Sequence, residues 1–511
     1  MSTVFYDEAS VFFVGGITTK VGDSKCGGCT KQWFDDNFTQ LSDIMAADGG
    51  PKWEFSGISY DHQDGGHGDG SHKFFDQENG EFAGVEVGMV AYIEDNGAGE
   101  IMTGRYKINY VDPSGDFVLV NGIIATGDSS NVILNIGGAF PKLQEAVDDC
   151  SGYSYGCDIY DNVDEEYNST SDQIDIDSGG SIARNTHLRI IGFNTTPGDM
   201  DYGGAFYQSA VDCLINGVDT FPVETARTLM IDAGNQTCSV MNFNNVDNVE
   251  LRNLYLYRTL GAAGQYAIKP TNDPTALSFI NCRFDSVDKV LGGVIENVML
   301  VGCFSGTDIG RQAYTAKVGG TFIGNVMQGP AANILVGCAP DCSVVFLNNI
   351  LIGCWNGFRN SGRVRAINNT FYNQSVSCAS TVNTAAETIM VNNIFMPQAG
   401  AYGLNIESGG GSVQYNDYNC YCDVNGDVLA TPIASNYSGG TVPAMGKHSL
   451  EVDPKLIDAA NGLFRPLNPL VLRGGRPGLE DNAATMGAIL YEYQFAARGR
   501  MANLARLGIM K

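Results

Sequence analysis

Between residues 249 and 421 short apolar segments recur, each carrying an asparagine: VELRNLYLYR, LSFINCRF, VIENVMLVGC, TFIGNVMQG, VFLNNILIGC, RAINNTFYN, IMVNNIFMP and VQYNDYNC. Each is rich in β-branched and aromatic residues, too short for a helix, and most are bracketed by Gly or Asn, so each reads as a strand. The asparagines that line up are Asn253, Asn281, Asn297, Asn325, Asn349, Asn369, Asn393 and Asn416, separated by 16 to 28 residues. That period is one coil of a solenoid. A coil unable to bury its apolar face alone does so by stacking on its neighbours. The pattern predicts a mainly β chain built around a parallel β-helix.

The recurring asparagine has a physical reason. Equivalent residues of stacked coils lie about 4.8 Å apart, so one side-chain amide can donate to the next and accept from the one before. Asn also tolerates the left-handed backbone needed where a strand turns a corner. A structural asparagine ladder is the plainer reading, a sugar-binding row the alternative.

Residues 1–135 lack the repeat. Strand-like runs at 87–93, 105–111 and 117–124, parted by DNGAGE and DPSGD turns, predict a small antiparallel β module. The segment IGGAFPKLQEAVDD (136–149) places Phe140, Leu143, Ala146 and Val147 on one helical face, which suits a helix capping the open end of the solenoid. The expected division is therefore a β-rich module over 1–135, a β-helix with its capping helix over 136–490, and a tail over 491–511. That tail holds Arg498, Arg500, Arg506 and Lys511 but no acid after residue 498, and reads either as folded back or as docked on an acidic surface.

Charge narrows the function classes. A formal net charge of −27 argues against nucleic-acid binding, which needs a basic face. No apolar run approaches the roughly 20 residues of a membrane span. The opening MSTVFYDEASVFFVGG has Asp7 and Glu8 ahead of any Lys or Arg, so no secretory signal is expected. With no export signal, the 14 cysteines read mainly as buried thiols, Cys282, Cys303, Cys354 and Cys420 among them.

Three stretches are candidates for chemistry. Cys26 and Cys29 with His62, His67 and His72 offer the thiolates and imidazoles of a zinc site; the bland alternative is an exposed loop with unliganded thiols. The acids at 158–177 and the DVNGD of Asp423, Asn425 and Asp427 offer oxygen ligands for calcium, or simply solvated loops. Asp285 and Asp288 with Arg283 and Lys289, near Asp247, Glu250 and Arg252, are the candidate catalytic cluster; solvated ion pairs are the alternative. The expected cofactor state is none, with calcium or zinc as the exceptions to test.

The coils LRIIGFNTTPGD (188–199) and LMIDAGN (229–235), the Gly-Gly-Ala before the helix, and the closing DPKLIDAANGLFRPLNP (453–469) with Gly474 and Gly487-Ala488 carry a resemblance. The chain is similar to right-handed parallel β-helix proteins of the pectate-lyase-like superfamily and resembles most the β-helix virion proteins of tailed bacteriophages. The resemblance implies a capsid-associated, spike or fibre protein assembled onto the virion. Its implied partners are other virion proteins, further copies of itself (a trimer, as in spikes) and host surface polysaccharide, with neither membrane nor nucleic acid. Tyr255, Tyr257, Trp355 and Tyr372 are the outward aromatics for sugar stacking, with ordinary packing as the alternative. The rival on the same scaffold is a polysaccharide depolymerase, a lyase or glycoside hydrolase. The superfamily's Asp-Asp pair and Gly-His-Gly are absent from the coils, so the sequence leans towards a non-catalytic chain.

Overall fold

The computed structural model describes residues 3–4, 10–14, 28–30, 32–34, 51–61, 72–75, 80–95, 103–120, 129–140, 142–150, 157–161, 165–166, 174–177, 187–194, 197–201, 229–232, 239–257, 266–272, 276–285, 289–292, 294–306, 317–329, 334–340, 342–383, 386–407, 412–435, 445–459, 463–475 and 486–488. Cys26, His62, His67, Asp288 and the basic tail lie outside them.

Parallel strands stack into three long sheets. The first runs through Cys157–Asp161, Leu188–Gly192, Val249–Arg252, Ser278–Ile280, Val294–Val301, Lys317–Ile323, Ser343–Leu347, Arg363–Ile367, Glu387–Val391 and Ser412–Asp417. A 10-stranded second sheet runs from Glu165–Glu166 to Cys420–Tyr421. The third comes in two blocks, Ile174–Asp177 to Lys289–Leu291 and Ile334–Cys338 to Ile433–Ser435. The chain visits the sheets in turn, coil after coil. This is a parallel β-helix.

The solenoid starts one coil earlier than the sequence suggested. The acid-rich stretch expected as a loop forms Cys157–Asp161, Glu165–Glu166 and Ile174–Asp177. The reason is alternation: Ile159, Ile174 and Ile176 point into the core, while Asp158 bonds Arg189 of the next strand.

Ahead of the solenoid, Trp53–Asp61, His72–Phe75, Val90–Asp95, Gly104–Val111, Phe117–Val120 and Ser129–Ile136 pair antiparallel all the way round, closing a six-stranded barrel. Closure removes the free edges of a small sheet. The barrel's core reaches Phe193 and Tyr160 of the first coils.

The first coil is sealed by two devices. Strand Ser10–Val14 pairs parallel with Cys157–Asp161, and Cys29–Thr30 pairs on it in turn. A short helix, α1 (Leu143–Asp149), buries Leu143, Ala146 and Val147 against the core, with Phe140 buried just ahead of it. It begins later than the periodicity implied because Gly137 and Gly138 adopt left-handed backbone at φ 61° and 95°, which ends the barrel strand in a turn. The Gln144 amide donates to the Asp175 carbonyl (3.2 Å) and accepts from the Asp175 N–H (2.7 Å), standing in for an absent neighbouring strand. Cys150 and Cys157 form a disulfide joining the end of α1 to the first strand, an exception to the expectation of mainly buried thiols. The other described cysteines are free thiols, and burial pushes that of Cys354 up to about 12.

From Gly324 on, two jobs assigned to one asparagine are split between adjacent residues at the corner. Strand register aligns Asn253, Asn281, Gly302, Gly324, Asn348, Asn368, Asn392 and Tyr418, all at positive φ. The following position carries the ladder. Asn325 donates to Asn349 (2.9 Å), Asn349 to Asn369, Asn369 to Asn393 and Asn393 to Asn419 (3.0 Å each). Each accepting oxygen also takes the backbone N–H of the preceding ladder asparagine, so every amide is spent within the wall. Asn281 donates to Asn253 in a separate pair (2.9 Å). Asn297 stands outside the column, exposed in a bulge between Ile295 and Val298. The ladder's last member is Asn419 rather than Asn416, which accepts from it (2.8 Å).

Stacked rings fill the interior beside this column, Phe371 on Phe395 (5.1 Å) and Phe395 on Tyr421 (5.0 Å). Each such contact adds roughly 0.5–1.5 kcal/mol beyond burial. Replacing Asn369 by Ala takes the acceptor from the Asn349 backbone N–H and from one of its two side-chain N–H bonds, the other staying on the Phe322 carbonyl. The cost should be roughly 2–4 kcal/mol, read as a lower denaturant midpoint; a midpoint equal to wild type would show that the column carries little stability.

Candidate functional site

Function on a solenoid of this kind rests on its outer faces, and the second sheet's is partly occupied. The outward residues Phe304, Val326, Ile350 and Ile352 are covered by Phe464 and Ala488, while Ile394, Met396, Cys420 and Cys422 are covered by Val471 and Met486. This closing segment forms the hairpin of Leu456–Asp458 with Leu463–Pro466 and a second helix, α2 (Pro469–Arg473). Asn468 caps α2 by accepting from the Leu470 N–H (3.0 Å), so Asn-Pro serves as N-cap and first helical residue. Gly487 and Ala488 then bond the Asn392 carbonyl (2.6 Å) and the Thr370 hydroxyl (3.0 Å).

The expected aromatics divide accordingly. Tyr372 packs edge-on against Phe464 (5.3 Å), and Tyr255 is buried. Tyr257 is half-buried, 5.5 Å from Tyr255. Trp355, 46% exposed, is the one of the four that faces solvent freely.

The candidate catalytic cluster is closed in on itself. The Arg283 Nε donates to Asp285, and the guanidinium lies over the rings of Tyr255 (4.9 Å) and Phe304 (5.3 Å). Burial, and then the Asp285 charge, push the Tyr255 phenol far above its usual range. Lys289 faces the Tyr266 ring at 5.4 Å. An ion-paired carboxylate between aromatic walls is poorly placed to exchange protons with a substrate.

Other acids are also taken up by arginines. Arg189 forks onto Asp158, Arg252 reaches Glu250 (2.6 Å) and Asp201 (3.4 Å), and Arg359 forks onto Glu407 (3.3 and 2.7 Å) with Ser380 donating alongside (2.6 Å). Register explains it: Asp158, Arg189 and Glu250 lie one above another on successive strands.

For metals, Cys29 is buried in the strand on Ser10–Val14, while His72 opens the barrel strand opposite Val120. Among the described residues no three His, Cys, Asp or Glu side chains gather as a metal group. In DVNGD the Asp423 carboxylate accepts from the backbone N–H of Asn425 (2.8 Å) and Asp427 (3.0 Å), folding the loop around itself.

One arrangement escaped sequence reasoning. Asp417, at the end of the first sheet's last strand, accepts from the His448 ring Nδ1 and backbone N–H (2.8 Å each) and from the Tyr418 N–H (2.9 Å). The imidazole lies flat on Tyr418, centroids 4.5 Å apart at 12°. Tyr418 stands in the left-handed corner position otherwise held by Asn or Gly. Gly446 is needed because a Cβ there would collide with the Asp417 carboxylate. Partial burial pushes the Asp417 pKa up, but the bonds from His448 and Tyr418 outweigh it and hold the carboxyl below its ordinary range. The signal was faint: His448 follows Gly446-Lys447, 31 residues from its partner.

No family model matches the chain, and no curated protein matches it. Among solved structures it is similar to the Gp54 tailspike of Acinetobacter baumannii bacteriophage AP22 in complex with A. baumannii capsular saccharide, at 11% identity and a TM-score of 0.25, over 77% of this chain and 61% of the tailspike. It is also similar to the Yersinia enterocolitica family 28 exopolygalacturonase, at 9% identity and a TM-score of 0.24, over 78% of this chain and 98% of that one. The β-helix assignment stands on the strand pairings themselves.

Asp417 has a folded pKa below its unfolded value, so its stabilisation is present above the unfolded pKa and lost as pH falls through the folded one. Wild type should exceed Asp417→Asn in unfolding midpoint at neutral pH, and the gap should close below about pH 4. A gap constant down to the acid limit would contradict the bonding described.

Proposed function

We propose that the chain is a non-catalytic structural or attachment protein of a bacteriophage virion, a rigid β-helix that contacts host surface carbohydrate. The observation that carries this reading is the fate of the carboxylates: Asp158, Glu250, Asp285 and Glu407 are each engaged by an arginine of the same or a nearby coil. Paired glycosidase acids need a gap between them for water or sugar, which such ion pairs do not leave. The sealed first coil and the covered second sheet suit a stiff spacer. Other virion proteins and further copies of the chain are its partners in this reading.

A depolymerase is the second reading, favoured by Asp417 and His448. The carboxylate fixes Nδ1 and leaves the other ring nitrogen of a 41% exposed side chain to act as a base. Incubating the purified protein with capsular polysaccharides separates the two. The attachment reading expects co-purification with intact virions and no new reducing ends. Cleavage abolished by His448→Ala or Asp285→Ala would overturn it.

A further inference from the structure

The chain has 30 basic residues against 57 acids, yet RNSGRVR places Arg359, Arg363 and Arg365 within one coil. Their situations differ. Arg359 is held by Glu407. Arg363 is 72% exposed and its one ion pair among the described residues is with the 41% exposed Glu387, at 3.4 Å. An exposed pair of that length contributes little and is easily exchanged. Arg365 is exposed and forms no ion pair among the described residues.

Both Arg363 and Arg365 point outward from the first sheet, two residues and so about 6.6 Å apart along the strand. Register stacks Arg365 on Ile389 and Ile389 on Tyr415. Tyr415 is 36% exposed, and its strand lies two rungs, roughly 9.6 Å, from that of the arginines. Beyond it stand exposed Lys447 and His448. Among the described residues two acids share this face. Glu387 is the loose partner of Arg363, and Asp417 is engaged by His448 and two backbone N–H groups. The rest of the chain's negative charge is largely screened beyond about 8–10 Å at physiological salt, so the local groups decide what binds.

We infer that the outer face of the last three rungs of the first sheet binds an acidic polysaccharide, with Arg363 and Arg365 gripping carboxylate or sulfate groups and Tyr415 stacking on a sugar ring. The inference rests on the attachment reading and names its ligand class. Guanidinium forks match such oxyanions in two-pronged geometry. Two guanidinia along one strand and a ring two rungs from Arg365 suit charges several ångströms apart, unlike the one charge per about 1.7 Å of a nucleic-acid duplex.

Retardation in gels cast with polygalacturonate, dextran sulfate or neutral dextran, with duplex DNA as competitor, tests this on the full chain. At physiological salt polygalacturonate or dextran sulfate should retard the protein and neutral dextran should not. Arg363→Ala with Arg365→Ala should weaken binding about tenfold or more, and Tyr415→Ala several-fold. All these side chains are exposed, and unchanged melting of the variants checks that they fold. Undiminished binding by the double variant, or displacement by duplex DNA at equal charge, overturns the inference. Retardation by neutral dextran alone overturns it too but leaves the attachment reading standing, whereas absence from purified virions removes that reading whatever the gels show.

Discussion

Stacking at strand spacing puts every residue of a coil against its counterpart in the next, and everything else follows from that repetition. A polar group buried at a corner recurs in each coil, so it must be satisfied by its own copies or not at all. The run from Asn325 to Asn419 meets the demand with one side chain that is donor and acceptor at once. Leu or Val at that position could supply neither half. Before the run, Cys303 holds the same position and donates its backbone N–H to Asn325 (2.8 Å), so the column begins where a small apolar side chain suffices.

The fold was legible because repetition multiplies a weak signal: eight short strands mean little singly, but together they fix a period. What escaped the sequence was whatever that period does not encode. The Asn-Asn doublets at 348–349, 368–369 and 392–393 showed the asparagines without showing which of each pair turned the corner, a matter of backbone angle. Asn297 matched the pattern by spacing but sits in a bulge. The acidic stretch at 158–177 looked like a loop by composition, yet its isoleucines alternate with Asp158, Asp175 and Asp177 along paired strands. Composition misled where periodicity would have served.

The site was less legible for a related reason. Asp285 drew attention as an acid near other charges, but the neighbours that decide its role, Tyr255 and Phe304, come from adjacent coils. Asp417 and His448 meet only because the chain makes one more circuit, through Cys420–Tyr421 and Ile433–Ser435, before Gly446 comes back over Asn416. The Arg363 and Arg365 pair could be read from sequence, but not the column that leads from it to Tyr415. Outer-face chemistry depends on register between coils of unequal length, and coil length is the quantity a single sequence shows least well.

The strand Ser10–Val14 has a temporal consequence. Its partner, Cys157–Asp161, lies far along the chain, with the whole barrel between them. During synthesis that early strand has only the short Cys29–Thr30 to pair with, among the described residues, until the barrel has emerged and the first coil follows it. The seed on which later coils assemble is therefore a composite of the earliest and a much later stretch, closed before elongation proceeds. Growth then has one open direction, and each new coil meets a finished template instead of another nascent chain.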